Sequence, residues 1–134
     1  MDNQKNEAEI KDRVKIIDWK KDAPIILLEE FEKQTVATSK LLWDEVEHLA
    51  NGKPFYVIVD LSNSEIPDAE LRAFLVTRYE KLKNSILFIY AYVGKKIIFK
   101  TMLKFLAASA RYNNYDVINS VQHGLEKINK RNDI

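Results

Sequence analysis

The hydrophobic period of this chain changes back and forth along its length, and that alternation constrains the fold more than any single residue. Three short runs, PIILLEEF at 24–31, FYVIVDL at 55–61 and SILFIYAYV at 85–93, are apolar at nearly every position. Between and after them, apolar residues recur every third or fourth position. A continuous apolar run of strand length needs cover on both faces, whereas a segment of helical period needs cover along one stripe. Strands and helices that alternate in this way fold as an α/β domain with a mostly parallel sheet.

The rest of the chain fits that frame. RVKIIDWK at 13–20 reads as a first strand with imperfect alternation, and KKDAP is a turn, so the first two strands form an antiparallel hairpin. The first predicted helix carries Leu42, Val46 and Leu49 with Trp43 and Ala50 beside them. Thr35 or Thr38 caps its start, and Asn51-Gly52 stops it. The second begins near Asp68 and buries Leu71, Leu75, Tyr79 and Leu82. The third follows Gly94, with Ile98, Met102, Phe105 and Leu106 inward. YDVI at 115–118 is a short fifth strand. In the last helix Val121, Leu125 and Ile128 face inward, and Asn119 with Gln122 resembles a capping box. The predicted order is β-β-α-β-α-β-α-β-α: five strands and four helices in one domain over residues 10–130. Residues 1–9 read as a flexible polar tail and residues 131–134 as a loose one.

Composition narrows the function. The 134 residues carry 21 basic and 20 acidic side chains, a net charge of +1, so the whole molecule exerts no pull on nucleic acid, and none is expected as a partner. There is no cysteine, hence no disulfide and no thiolate chemistry. The first residues lack the apolar core of a secretory signal, and the longest apolar run is too short for a membrane-spanning helix. The chain reads as cytoplasmic.

No catalytic constellation emerges. Asp60 ends the third strand, where α/β folds bind ligands. A phospho-accepting receiver would also need an acidic pair after the first strand and a lysine after the fifth, and both are missing. The three glycines form no phosphate-cradling cluster. His48 and His123 lie on different helices without a spaced partner, so no metal site is expected. Glu29-Glu30 and Asp44-Glu45 sit among other charges and read as solvated. The expectation is a non-enzymatic chain without cofactor.

Three stretches carry a family resemblance: YVIVDLSNSEIPDAEL, SILFIYAYVGKKIIFKTMLKFLAASAR and NYDVINSVQHGLEKI. Together they resemble the SpoIIAA-like domains of anti-sigma-factor antagonists and sulphate-transporter regulatory domains, in particular the branch related to lipid-transfer proteins. The resemblance implies a SpoIIAA-like sheet packed with helices and a regulatory role through protein contacts. In antagonists of this family a serine at the start of the second helix accepts phosphate. Here that turn is Asp68-Ala69-Glu70-Leu71. The aspartate matches, and the serine position falls on Ala69 or Glu70, neither of which accepts phosphate. Glu70 reads either as a fixed charge in its place or as an ordinary first-turn acid that favours the helix dipole. Ser62, Asn63 and Ser64, just upstream, read as turn residues whose side chains satisfy the backbone.

Lys96, Lys100 and Lys104 recur every four residues along the third predicted helix, as a solvated face or as a docking ridge for an acidic protein or an anionic lipid surface. That helix is apolar over more than one stripe. Ile97, Phe99 and Leu103 are left over once Ile98, Met102 and Phe105 face the core. A homodimer partner, the N-terminal segment or an apolar ligand between helices are the occupants such a surplus allows.

Overall fold

Strands β1 (Val14–Lys20) and β2 (Ala23–Glu29) form an antiparallel hairpin in the computed structural model, which describes residues 3–133. β2, β3 (Phe55–Asp60), β4 (Ile86–Tyr92) and β5 (Tyr115–Ile118) run parallel to one another, in the spatial order β1-β2-β3-β4-β5. The helices are α1 (Asn3–Arg13), α2 (Val36–Ala50), α3 (Ala69–Leu82), α4 (Ile97–Ser109) and α5 (Val121–Asn129). The mostly parallel five-stranded α/β architecture is the one the sequence predicts, with one helix more. A register shift between Ile16 and Asp18 explains the broken alternation of β1.

α2, α3 and α4 pack on one face of the sheet. Leu42, Trp43 and Val46 of α2, Leu71 and Tyr79 of α3, and Phe99 and Leu106 of α4 bury Ile26, Leu28, Val57, Val59 and Ile89. Trp43 and Tyr79 meet edge to face, with ring centroids 5.5 Å apart. α5 lies on the other face with Ile25, Leu27, Tyr56, Ile58, Tyr90 and Ile118. Gly124 lets it approach, because a Cβ there would stand 2.7 Å from Ile118 Cδ1. Thr35 caps α2 in a capping box with Thr38, and Asn51 ends it in the left-handed conformation at φ 50°.

Four local expectations are corrected. Residues 3–9, predicted as tail, belong to α1, which is anchored by buried Ile10 and by Arg13, whose guanidinium stacks 4.0 Å from the Phe31 ring centre. Residues 131–133 are tied down rather than loose. Arg131 stacks 3.8 Å over Phe88 and pairs with Asp133 at 2.6 Å, while the Tyr56 hydroxyl donates to Asp133 and Lys20 Nζ donates to the Ile128 carbonyl at 2.7 Å. Residues 1, 2 and 134 of the two predicted tails lie outside the described residues. The cap of α5 is Ser120, whose Oγ accepts from His123 N at 3.0 Å, in place of the Asn119–Gln122 pair.

The fourth correction concerns α4. Its buried face is Phe99, Leu103, Leu106 and Ala107, an i, i+4, i+7, i+8 stripe, while Ile97, Ile98 and Phe105 are exposed. The surplus apolar face exists and includes Ile97 as predicted, but Ile98 and Phe105 take the places expected for Phe99 and Leu103. This rotation has a direct consequence for stability. Phe99→Ala should cost about 3–5 kcal/mol, and Phe105→Ala should stay within about 0.5 kcal/mol of the parent in urea unfolding. The opposite ranking would place the helix in the rotation first read from the sequence.

Candidate interaction site at the corner between β3 and α3

β3 ends on Asp60, and its carboxylate is consumed locally. Oδ1 accepts from Ser62 N at 2.9 Å and from Ser62 Oγ at 2.6 Å. This is a side-chain-closed turn of the kind expected for a strand end. The chain then crosses to α3, where Asp68 is the N-cap and accepts from Leu71 N at 2.9 Å.

Between these two aspartates, three different parts of the protein hold the loop by its carbonyl groups. Lys96 Nζ donates to Ser64 O, Gln34 Nε2 to Glu65 O at 2.7 Å, and Arg72 Nη1 to Pro67 O at 2.8 Å. Glu65 N donates in turn to Glu32 O at 2.7 Å. Gly94 stands behind the corner at φ +63°, a left-handed turn, with Ser62 Cβ 3.5 Å from where its own Cβ would be. The result is a loop whose backbone is fixed from outside and whose side chains are left to solvent. Asn63, Glu65, Ile66, Asp68, Ala69 and Glu70 are exposed, and Ile66 shows 47% of its surface.

The three hydroxyl and amide residues expected to serve this turn divide. Ser62 does so through Asp60. Asn63 is exposed. Ser64 is fully buried, and its Oγ has no hydrogen-bond partner among the described residues, so its hydroxyl does not satisfy the backbone as predicted. Of the lysines, Lys96 joins the corner through its bond to Ser64, which links the corner to the first turn of α4. Lys100 and Lys104 are exposed further along that helix and stay outside the corner. Beside them stand Ile97 at 75% exposure, Ile98 at 58% and Phe105 at 64%.

One functional-looking group escaped the sequence reading. Glu30, expected to be solvated, is buried at the end of β2. Ser39 Oγ donates to its Oε2 at 3.1 Å, and Phe31 N donates to Oε1 at 3.1 Å. Burial pushes its carboxyl above the usual range against the pull of those hydrogen bonds and of Arg13. Burial also raises the Tyr79 phenol, with the Glu30 carboxylate adding to the effect. The two residues line a cavity of about 20 Å³ with Trp43, Leu61, Leu75 and Leu106. A second cavity of about 20 Å³ lies between Tyr79, Ile89, Leu103 and Tyr112. Each has room for about one water molecule. Parity along β2 held the missing signal: Ile26, Leu28 and Glu30 point to the same face, and the first two are core.

Across to α2, Arg78 is buried and pairs with Glu47 at 2.6 Å and Asp44 at 3.0 Å. This accounts for the Asp44-Glu45 region as half of an interhelical ion cluster. Among the described residues no group of three or more His, Cys, Asp or Glu is placed to hold a metal ion. No described helix is long and apolar enough to cross a membrane.

No family model and no curated protein matches this chain. The NMR structure of the protein TM1081 is similar in fold: it aligns with a TM-score of 0.61 over 88% of each chain, at 16% sequence identity. At that identity the likeness speaks for the α/β architecture alone.

Glu30 gives a pH prediction with a definite sign. A carboxyl whose folded pKa lies above its unfolded value supports the fold below the unfolded pKa. That support is lost as pH rises through the folded pKa. Glu30→Gln keeps acceptor and volume but removes the charge. The variant should therefore gain stability over the parent as pH rises from the acid range to neutrality, and the two should converge in acid. Parallel unfolding curves at every pH would show that the carboxyl is not perturbed.

Proposed function

We propose that this chain is a non-enzymatic regulatory domain that binds a protein partner through the corner at residues 62–70. The observation that carries the reading is the way the loop is held. The carbonyls of Ser64, Glu65 and Pro67 are each fixed by a side chain from a different part of the protein, while Ile66, Asp68 and Glu70 project outward. A loop ordered before it meets a partner gives up little entropy on binding. An exposed isoleucine ringed by carboxylates supplies an apolar anchor with a polar rim. Neither serine of the corner belongs to the outward-facing set: Ser62 Oγ donates to Asp60, and Ser64 is buried.

The resemblance to antagonists of anti-sigma factors supports the same placement, since their partner-controlled serine belongs to this turn. Ala69 or Glu70 stands where that serine would be, and neither accepts phosphate. Binding here is therefore independent of phosphate at those positions, and Glu70 supplies a constant negative charge at the first turn of α3. The rival reading, a carrier of a small apolar ligand, finds little room among the helices, where the two cavities measure about 20 Å³ each; the larger depression of about 470 Å³ is an open one lined by Lys21, Asp22, Ala23, Lys53 and Pro54 at the β1–β2 turn and the start of β3.

The test is capture from native lysate of the source cell with wild type and with Ile66→Asp/Glu70→Lys, both of which should fold because the sites are exposed. The expected result is a protein retained by wild type and by the far-edge control Lys15→Glu, and lost from the corner variant. Equal recovery by all three overturns the proposal. Native mass spectrometry of the purified protein gives the rival its own reading, a retained apolar ligand.

A further inference from the structure

We infer that the outer face of α4 is a docking face for an anionic lipid bilayer, a surface separate from the corner and independent of the function proposed for it. Three observations carry this. First, α4 projects Ile97, Ile98 and Phe105 into solvent from a convex helix surface, although the helix already has a complete buried stripe in Phe99, Leu103 and Leu106. At 3.6 residues per turn the three exposed side chains, with Thr101 between them, fall within an arc of about 100°. Second, Lys100 and Lys104 border that arc on the side of Ile97, and both are exposed. Neither makes an ion pair among the described residues, in contrast to Lys40, Lys81 and Lys127, which each reach a carboxylate. Third, the chain contains no aspartate or glutamate between Glu80 and Asp116, so nothing on this segment offsets its lysines.

Charge decides among the possible occupants. A second copy packed antiparallel on this face about a two-fold axis would bring Lys100 and Lys104 to the same border as their own counterparts, a like-charge contact that no carboxylate of α4 relieves. An anionic surface meets the lysines favourably and accepts the protruding apolar side chains without needing a shaped pocket. Apolar residues on one arc with lysines at its border is the pattern of helices that lie in the bilayer interface. The ion-paired surface of α2 shows no such pattern, since its Lys40 stands beside Asp44 and its Glu47 pairs with Arg78, so both signs are present and matched.

Co-sedimentation of the full chain with phosphatidylcholine vesicles, with and without phosphatidylglycerol, tests the inference. Binding is expected only with the anionic lipid, weakened by salt. Lys100→Gln/Lys104→Gln should lower the partition coefficient by on the order of tenfold or more. Phe105→Ser should lower it as well, and its exposure means it folds. Lys15→Glu and the corner variant Ile66→Asp should bind like wild type, which separates this result from the fate of the corner proposal. Equal pelleting with both lipids, or with neither, overturns the inference. So does binding that survives Phe105→Ser unchanged, which would reduce the contact to charge alone. A lipid-free dimer in sedimentation equilibrium that Phe105→Asp dissociates would assign the face to a second copy instead.

Discussion

Three successive crossovers between neighbouring parallel strands leave α2, α3 and α4 one arrangement. A right-handed βαβ connection places its helix on a fixed side of the sheet. When each strand is added next to the last in the same direction, every crossover helix arrives on that same side. The order β1-β2-β3-β4-β5 therefore stacks three helices over one face and leaves the other to α5 and the residues after it. Much of the remaining structure follows from this asymmetry. The crowded face holds Trp43, Tyr79 and Phe99. The thinly covered face completes itself with the close approach at Gly124 and with the Arg131–Asp133 pair lying over Phe88 and Tyr56.

The same arrangement explains why the corner is rigid. Leaving β3, the chain must turn over the carboxyl edge of the sheet to reach α3 on the crowded face, between the ends of β2 and β4. Backbone groups in such a crossing cannot all pair with one another, and a buried one left unpaired is costly. They are satisfied from outside instead: Glu32 and Gln34 after β2 reach the peptide of Glu65, Lys96 before α4 reaches Ser64, and Arg72 within α3 reaches back to Pro67. The segment after β2 supplies two holds, and α3 and the start of α4 one each. Side chains with no part in this pairing remain outward and available.

Elements were legible in the sequence where periods were pure. The strands at 55–60 and 86–92, the stripe Leu71–Leu75–Tyr79–Leu82 and the Asn51 stop all followed from spacing and cap chemistry. α4 was legible as a helix but not in its rotation. Ile97, Ile98, Phe99, Met102, Leu103, Phe105 and Leu106 offer two overlapping stripes, and hydrophobicity alone does not rank them. The bond from Lys96 to Ser64, 32 residues apart in the chain and carried by a carbonyl that leaves no mark in the hydrophobic pattern, ties down the start of the helix, where Phe99 faces inward. α5 shows a smaller failure of the same kind, because Asn119, Ser120 and Gln122 all favour helix starts and only the fold selects Ser120. At the candidate site, Asp68 and the turn at Ser62 could be read from the chain. The roles of Gln34, Arg72 and Lys96 could not, since each acts on a carbonyl that carries no side-chain signature.

A net charge near zero conceals a division of the surface. The corner exposes Glu65, Asp68 and Glu70, whereas Lys95 just before α4 and Lys100 and Lys104 on it are exposed, and the two regions adjoin through Lys96. Charges separated in this way create local fields of opposite sign that fall off over about 8–10 Å at physiological salt. Under the two roles proposed for them, each region selects by sign, and the two fields do not overlap beyond that distance. Lys96 does not belong to either field. Partly buried and committed to the Ser64 carbonyl, it is the mechanical link between them, and a change in the first turn of α4 would reach the corner through that single side chain. One small domain can in this way present two chemically distinct surfaces, joined where the corner meets the start of α4.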